Sequence, residues 1–173
     1  MRLFIGIKPG NAHSELFSTS RYLAKLSGGR ATKRENLHLT LKFLGEIEDP
    51  KPVIAAMKRA AENKQFFYLQ LNDIIFLPKR EMIWCDIEGD TKELKRLHRD
   101  VEIALIKNGV KIEKRAILPH ITLVRKVQDE KFDVSDVRIE QIMFKVNDMV
   151  LFESKHIDGE LTYIPIETIT FGD

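Results

Sequence analysis

The sequence predicts an α+β fold that is bilobal, with two duplicated sheet-and-helix halves around a pseudo-two-fold cleft. Three observations carry that reading. Short alternating apolar runs recur along the 173 residues, separated by stretches with helical spacing. A strand–helix–strand unit ending in His-x-Thr occurs twice, in Leu37-His38-Leu39-Thr40-Leu41 and Pro119-His120-Ile121-Thr122-Leu123, with the histidines 82 positions apart. That spacing is too long for a solenoid repeat and fits a doubled half-domain. No linker or low-complexity tract divides the chain, so one domain over 1–173 is expected. Its halves lie at about 1–78 and 79–128, and C-terminal strands in 129–173 complete the sheets.

Leu3 to Ile7 reads as a short buried strand, closed by Lys8-Pro9-Gly10. Asn11 offers a cap for a helix to about Leu26, with Leu16, Tyr22, Leu23 and Leu26 at helical spacing, and Gly28-Gly29 ends it. Leu37 to Leu44 alternates as a strand and stops at Gly45. Asp49-Pro50 opens a helix to about Lys64. Phe66 to Leu77 is a long strand ended by Pro78, and Met82 to Glu88 is another. Thr91 caps a helix to Lys107, stopped by Asn108-Gly109, and Ile117 to Val127 is the next strand. Two more strands are expected near 142–154 and 161–171.

Composition narrows the function classes. Hydrophobic residues make up 43% of the chain, enough for a real core, which excludes a disordered tail or linker. A net charge of +2 gives no strong global field, so a polybasic nucleic-acid binder is not expected, although a local basic groove is compatible. No apolar run approaches a membrane span or a signal peptide, so a cytoplasmic protein without membrane contact is expected. The single cysteine, Cys85, lies in the apolar run Met82–Ile87 and reads as a small buried hydrophobe.

Residues i and i+2 of a strand share a face. His38 and Thr40 therefore stand side by side, with Lys42 continuing the face as a candidate substrate contact, and His120 and Thr122 do the same in the second copy. A metal site would want a third or fourth ligand such as a carboxylate or thiol, and the i+2 partner here is threonine both times. No Gly-x-Ser-x-Gly elbow and no phosphate-binding glycine signature is present. Paired histidines suit in-line displacement at phosphorus. A neutral imidazole takes a proton from the attacking oxygen while an imidazolium gives one to the departing oxygen. Threonine hydroxyls then donate to the nonbridging oxygens, where charge builds up.

The two motifs, His38-Leu39-Thr40-Leu41-Lys42-Phe43-Leu44-Gly45 and His120-Ile121-Thr122-Leu123-Val124-Arg125, resemble the paired signatures of the 2H phosphoesterase superfamily. More narrowly they resemble the RNA 2′,3′-cyclic phosphodiesterases, also called 2′-5′ RNA ligases. Met1–Ile7 and Val150–Ser154 carry the resemblance over nearly the whole chain. The resemblance implies a two-lobed fold around a cleft, with His38 as proton donor and His120 as proton acceptor. It implies hydrolysis of RNA terminal 2′,3′-cyclic phosphates to 2′-phosphates, with reversible 2′-5′ joining in some members. It implies no metal and no nucleotide cofactor. RNA ends or oligonucleotides bearing the cyclic phosphate are the expected partners; no protein partner is expected, and the chain is expected to be a monomer. Two other functions are weighed: an esterase for small cyclic nucleotides or ADP-ribose cyclic phosphate, and a noncatalytic RNA-binding module. Relative turnover of oligonucleotide and mononucleotide separates the first. Retention of two complete His-x-Thr motifs argues against the second, since binding alone needs no proton-transfer groups.

Arg125 follows the second motif. Strict alternation turns it away from His120, whereas a bulge would turn it into the cleft as a phosphate contact. Phe43 occupies the matching place in the first motif, where burial habits favour core packing over stacking on a base. His13, His98 and His156 read as ordinary residues, the first two at helix surfaces and the third before a turn. Arg30, Lys33 and Arg34 precede the first catalytic strand, and Lys111, Lys114 and Arg115 the second, so both groups are expected to rim the cleft.

Overall fold

Alternating apolar residues pair into one antiparallel sheet, and the computed structural model describes it over residues 1–172. The strands are β1 (Arg2–Ile7), β2 (Arg30–Ala31), β3 (Leu39–Glu46), β4 (Phe67–Leu77), β5 (Met82–Gly89), β6 (His120–Arg125), β7 (Met143–Val146), β8 (Asp148–Ile157) and β9 (Glu160–Thr170). The helices are α1 (His13–Ser27), α2 (Lys51–Ala61) and α3 (Thr91–Lys107). The strand order is β7-β4-β5-β6-β3-β1-β8-β9, with the short β2 added to β6. This order is palindromic about the β3–β6 seam: each His-x-Thr strand is flanked by the strand that opens its own half. The sheet curls into a half-barrel.

The core lies between the sheet and the helices. Leu16 and Leu23 of α1, Val53 and Met57 of α2, and Leu94, Leu97 and Val101 of α3 meet Leu3, Ile5, Leu39, Ile83, Ile121 and Leu123 of the strands in one buried cluster. Cys85 belongs to it, wholly buried, and burial pushes its thiol up to about 12. No described helix is long and apolar enough to cross a membrane.

Several boundaries differ from expectation. Helix α1 begins at His13 after a 3-10 turn over Gly10–Ala12, and no side chain caps it. Strand β3 continues through Gly45 to Glu46, because Arg2 and Leu3 extend the ladder alongside it. The strand expected near 117–127 is confined to His120–Arg125. The strand expected near 142–154 is two strands, broken at Asn147, because β7 pairs with β4 in one lobe while β8 pairs with β1 in the other. A single residue can make that crossing only where the curled sheet brings the two lobes together.

Candidate active site

The two His-x-Thr strands meet at one registered pair, Leu39 opposite Ile121, and both of these side chains are fully buried. The flanking residues His38, Thr40, His120 and Thr122 consequently face the cleft. An antiparallel register centred on Leu39 and Ile121 sets His38 across from Thr122, and Thr40 across from His120. Each imidazole thus has the other motif's hydroxyl as its cross-strand neighbour.

Both imidazoles are pinned in the same way. Nδ1 of His38 lies 2.7 Å from the Asn36 carbonyl oxygen, and Nδ1 of His120 lies 2.6 Å from that of Leu118. A carbonyl only accepts, so Nδ1 carries the hydrogen and Nε2 is the titrating nitrogen in each ring. Asn36 is itself held by β9: its side-chain amide donates to the Leu161 carbonyl at 2.9 Å, and its Oδ1 accepts from the Tyr163 N–H at 3.1 Å. Nε2 of His38 lies 2.8 Å from the Thr40 hydroxyl.

The surroundings of the two rings differ. Thr40 is registered with Gly6, and Thr122 with Trp84, so glycine and tryptophan occupy matching places in the two halves. A Cβ at Gly6 would lie 3.3 Å from His38 Cδ2 and 3.1 Å from Phe152 Cε2. Its absence lets His38 sink against Phe4, at 4.7 Å between ring centroids, and the edge of Tyr163, at 5.1 Å. Trp84 instead lies flat against His120, with centroids 3.6 Å apart. Burial pushes His38 down to about 4, against a partial rise from the Asn36 hydrogen bond, and Arg125 and His120 lower it further. Burial also lowers His120; the Leu118 hydrogen bond opposes this, Arg80 and Arg125 add to it, and Asp86 raises it.

Both strands are bulged at the same place. The β1–β3 register passes from Gly6–Thr40 to Ile5–Lys42, skipping Leu41. The β5–β6 register passes from Trp84–Thr122 to Ile83–Val124, skipping Leu123. Each bulge reverses the alternation three residues after the histidine. Phe43 and Arg125 therefore turn into the cleft of about 650 Å³ that His38, Thr40, His120 and Thr122 also line.

A family model for the 2′-5′ RNA ligase superfamily matches residues 12–156. The chain belongs to that superfamily. It is 32% identical over 162 residues to the RNA 2′,3′-cyclic phosphodiesterase of Methanocaldococcus jannaschii, covering 91% of this chain and 88% of the relative. It is 29% identical over 99 residues to the protein of that name from Aeropyrum pernix, and there the match spans 56% of each chain. The apo crystal structure of E. coli LigT superposes with a TM-score of 0.78 at 23% identity, over 99% of this chain and 98% of that one. At that identity the likeness establishes the fold.

Within this superfamily member the expected residues divide. His38, Thr40, His120 and Thr122 converge, and Arg125 joins them by way of its bulge. Phe43 is 50% exposed rather than packed in the core, with the Arg2 guanidinium 5.0 Å over its ring. Lys42 does not continue the face of His38, because the bulge turns it to the other side of the sheet. There it is 5% exposed, its ammonium 2.5 Å from Glu102 of α3 and hydrogen-bonded to the Glu113 carbonyl. It is no substrate contact. His98 is likewise buried rather than at the surface, 3.8 Å from Glu102. Arg30 and Lys33 line a second cavity that adjoins the cleft at His38, whereas Arg34 stacks over Phe17 and Arg115 pairs with Glu113. Lys111, Lys114 and Arg115 are not part of its wall. His156, read as a turn residue, stands on the rim at the end of β8. Among the described residues no three His, Cys, Asp or Glu side chains gather as metal ligands.

Sequence reasoning missed Trp84, Tyr163 and Arg80. Arg80 lies 5.3 Å over the Trp84 ring. Aligning the two halves on their threonines would have picked out Trp84 as the partner of Gly6; nothing local marks Arg80, which sits in the 3-10 turn Pro78–Arg80.

The Lys42 ion pair makes a stability prediction. Lys42→Ala leaves the half-buried Glu102 carboxylate without its cation and should lose about 3 kcal/mol, the low end for a broken buried pair, in urea unfolding. Lys42→Met with Glu102→Leu should recover most of that loss. Equal midpoints for Lys42→Ala and the unaltered protein would show that Glu102 finds another partner.

Proposed function

We propose that this chain opens 2′,3′-cyclic phosphates at RNA ends to 2′-phosphomonoesters by two-histidine acid–base catalysis. His120 takes a proton from water as the water oxygen bonds to phosphorus; the bond to the 3′ oxygen breaks, and that oxygen takes its proton from His38. Thr40 and Thr122 donate to the nonbridging oxygens, and Arg125 adds positive charge beside them. An RNA 5′-hydroxyl in place of water gives a 2′-5′ joined product along the same proton path. The observation that carries this reading is the pair of imidazoles facing one cleft, each with Nδ1 held by a backbone carbonyl and Nε2 left to exchange a proton. Relatives named RNA 2′,3′-cyclic phosphodiesterase support the substrate class. The assignment of donor and acceptor rests on the superfamily resemblance.

The decisive experiment incubates the protein with end-labelled RNA carrying a terminal 2′,3′-cyclic phosphate in excess chelator. Two imidazoles and two hydroxyls need no metal for this chemistry, so a 2′-phosphate should form at an unchanged rate. A 3′-phosphate product, or activity lost in chelator and restored by a divalent ion, would overturn the mechanism.

The pH dependence follows from the two depressed imidazoles. Turnover needs one protonated and one neutral ring, so kcat/KM should be bell-shaped, centred on the mean of the two free-protein values. Both lie below the ordinary 6.5, so that centre lies on the acid side of it. Bound cyclic phosphate is an anion and raises both, so the kcat optimum should lie at higher pH than the kcat/KM optimum. Coincident optima at neutral pH or above would contradict this.

A further inference from the structure

Past His38 the cleft continues into a second cavity that His120 does not line. Its wall is β2, the end of β6 and the tip of the β8–β9 hairpin, presenting Arg30, Thr32, Lys33, Arg125, Lys126 and Tyr163. Arg30 is registered directly opposite Arg125. Like charges placed opposite each other destabilise a strand pair. Among the described residues no carboxylate lies within ion-pair distance of Arg30, Arg125 or Lys126, and Glu160, the one acid on this wall, is paired with Lys33 and acts on Arg30 only from farther off. The backbone is committed to the arrangement as well. A Cβ at Gly29 would come within 2.6 Å of Val124 Cγ1 and 2.9 Å of the Arg125 carbonyl, so only glycine lets β2 pass this close to β6. Lys126 holds φ at 60°, in the left-handed region that lysine seldom adopts. Repulsion, close approach and backbone strain coincide at one spot, and an anion bound there offsets the repulsion.

We propose that this basic wall is the subsite for the first phosphodiester 5′ of the terminal nucleotide, so that the chain favours oligonucleotide ends over mononucleotides. The inference rests on the cyclic phosphodiesterase reading and adds a direction to it. The departing 3′ oxygen takes its proton from His38, so the terminal ribose stands on the His38 side of phosphorus. Its 5′ continuation then follows the wall contiguous with His38, past Tyr163, and brings the next phosphate to Arg30 and Lys126. The other end of the cleft, by His120, is left to water or an incoming hydroxyl.

The test compares a mononucleoside 2′,3′-cyclic phosphate, a dinucleotide ending in the same group, and that dinucleotide with a neutral methylphosphonate linkage. The dinucleotide should be favoured in kcat/KM by roughly ten- to a hundredfold, as for one charge-assisted contact. The methylphosphonate should lose most of that preference, and rising salt should erode it in the charged dinucleotide alone. In Arg30→Gln with Lys126→Asn, where asparagine tolerates the left-handed φ, the preference should collapse and the methylphosphonate should cost little more. Arg30→Gln alone gives the same cycle if the double variant does not fold. Equal turnover of dinucleotide and mononucleotide, or an undiminished methylphosphonate effect in the variants, would overturn the subsite alone. Failure of the unaltered protein to open any of the three would remove the cyclic phosphodiesterase reading and the subsite with it.

Discussion

Replacing His120 with alanine is expected to lower kcat/KM for cyclic phosphate opening by roughly 10²- to 10⁴-fold, and His38→Ala by a similar factor. The two losses become distinguishable when the departing oxygen belongs to a strongly acidic alcohol or phenol. Such a leaving group departs without a proton, so a missing general acid matters little while a missing general base matters as before. With that substrate His38→Ala should regain much of its rate, and His120→Ala should not. The reverse pattern would exchange the roles and leave the chemistry standing. Rescue of neither would mean that both rings chiefly bind phosphate. His38 fills a nest of Phe4, Phe152 and Tyr163, so its alanine variant leaves a small cavity there and should be compared under conditions where its folded state is verified.

The halves and their histidines were legible because each rests on a short-range pattern. Alternation around Leu39 and Ile121 places His38, Thr40, His120 and Thr122 on one face, and the repeated strand–helix–strand unit says that the two faces belong together. What alternation cannot register is the extra residue at Leu41 and at Leu123. A bulge is a property of the ladder, fixed by the partner strands β1 and β5, and it reverses every side chain beyond it. That one device accounts for two misplaced residues at once: Lys42 moves behind the sheet to Glu102, and Phe43 comes forward into the cleft. It also decides the open case of Arg125. The break at Asn147 escaped for a related reason, since nothing local in Met143–Ile157 says that its two parts pair with strands in different lobes. Trp84 and Gly6 are informative only as a pair, because the contrast between them, rather than either residue, gives the two imidazoles unlike surroundings.

Removing the threonine hydroxyls should separate two roles that share a residue type. Valine keeps the β-branched shape, so Thr40→Val and Thr122→Val subtract the hydroxyl alone, and each should slow turnover by roughly 10- to 1,000-fold if it stabilises charge in the transition state. The two are not equivalent in the free protein. The Thr40 hydroxyl sits 2.8 Å from Nε2 of His38, whereas that of Thr122 makes no hydrogen bond among the described residues, and only its backbone carbonyl is engaged, accepting from Thr32 at 2.9 Å. Nδ1 of His38 already donates to Asn36, so in the neutral ring Nε2 accepts from Thr40, whereas the imidazolium donates to the same hydroxyl in the stronger, charge-assisted sense. Thr40→Val therefore removes a phosphate donor and also leaves a partly buried ring nitrogen unpaired, which should make it the slower variant. It should also lower the pKa of His38 further, because the imidazolium loses its acceptor, and move the kcat/KM profile toward acid pH, while Thr122→Val lowers the profile without moving it. Matching profiles in the two variants would show that Thr40 does not tune His38, and unchanged rates in both would leave the hydroxyls with a structural part only, bonding the strands on which the imidazoles stand.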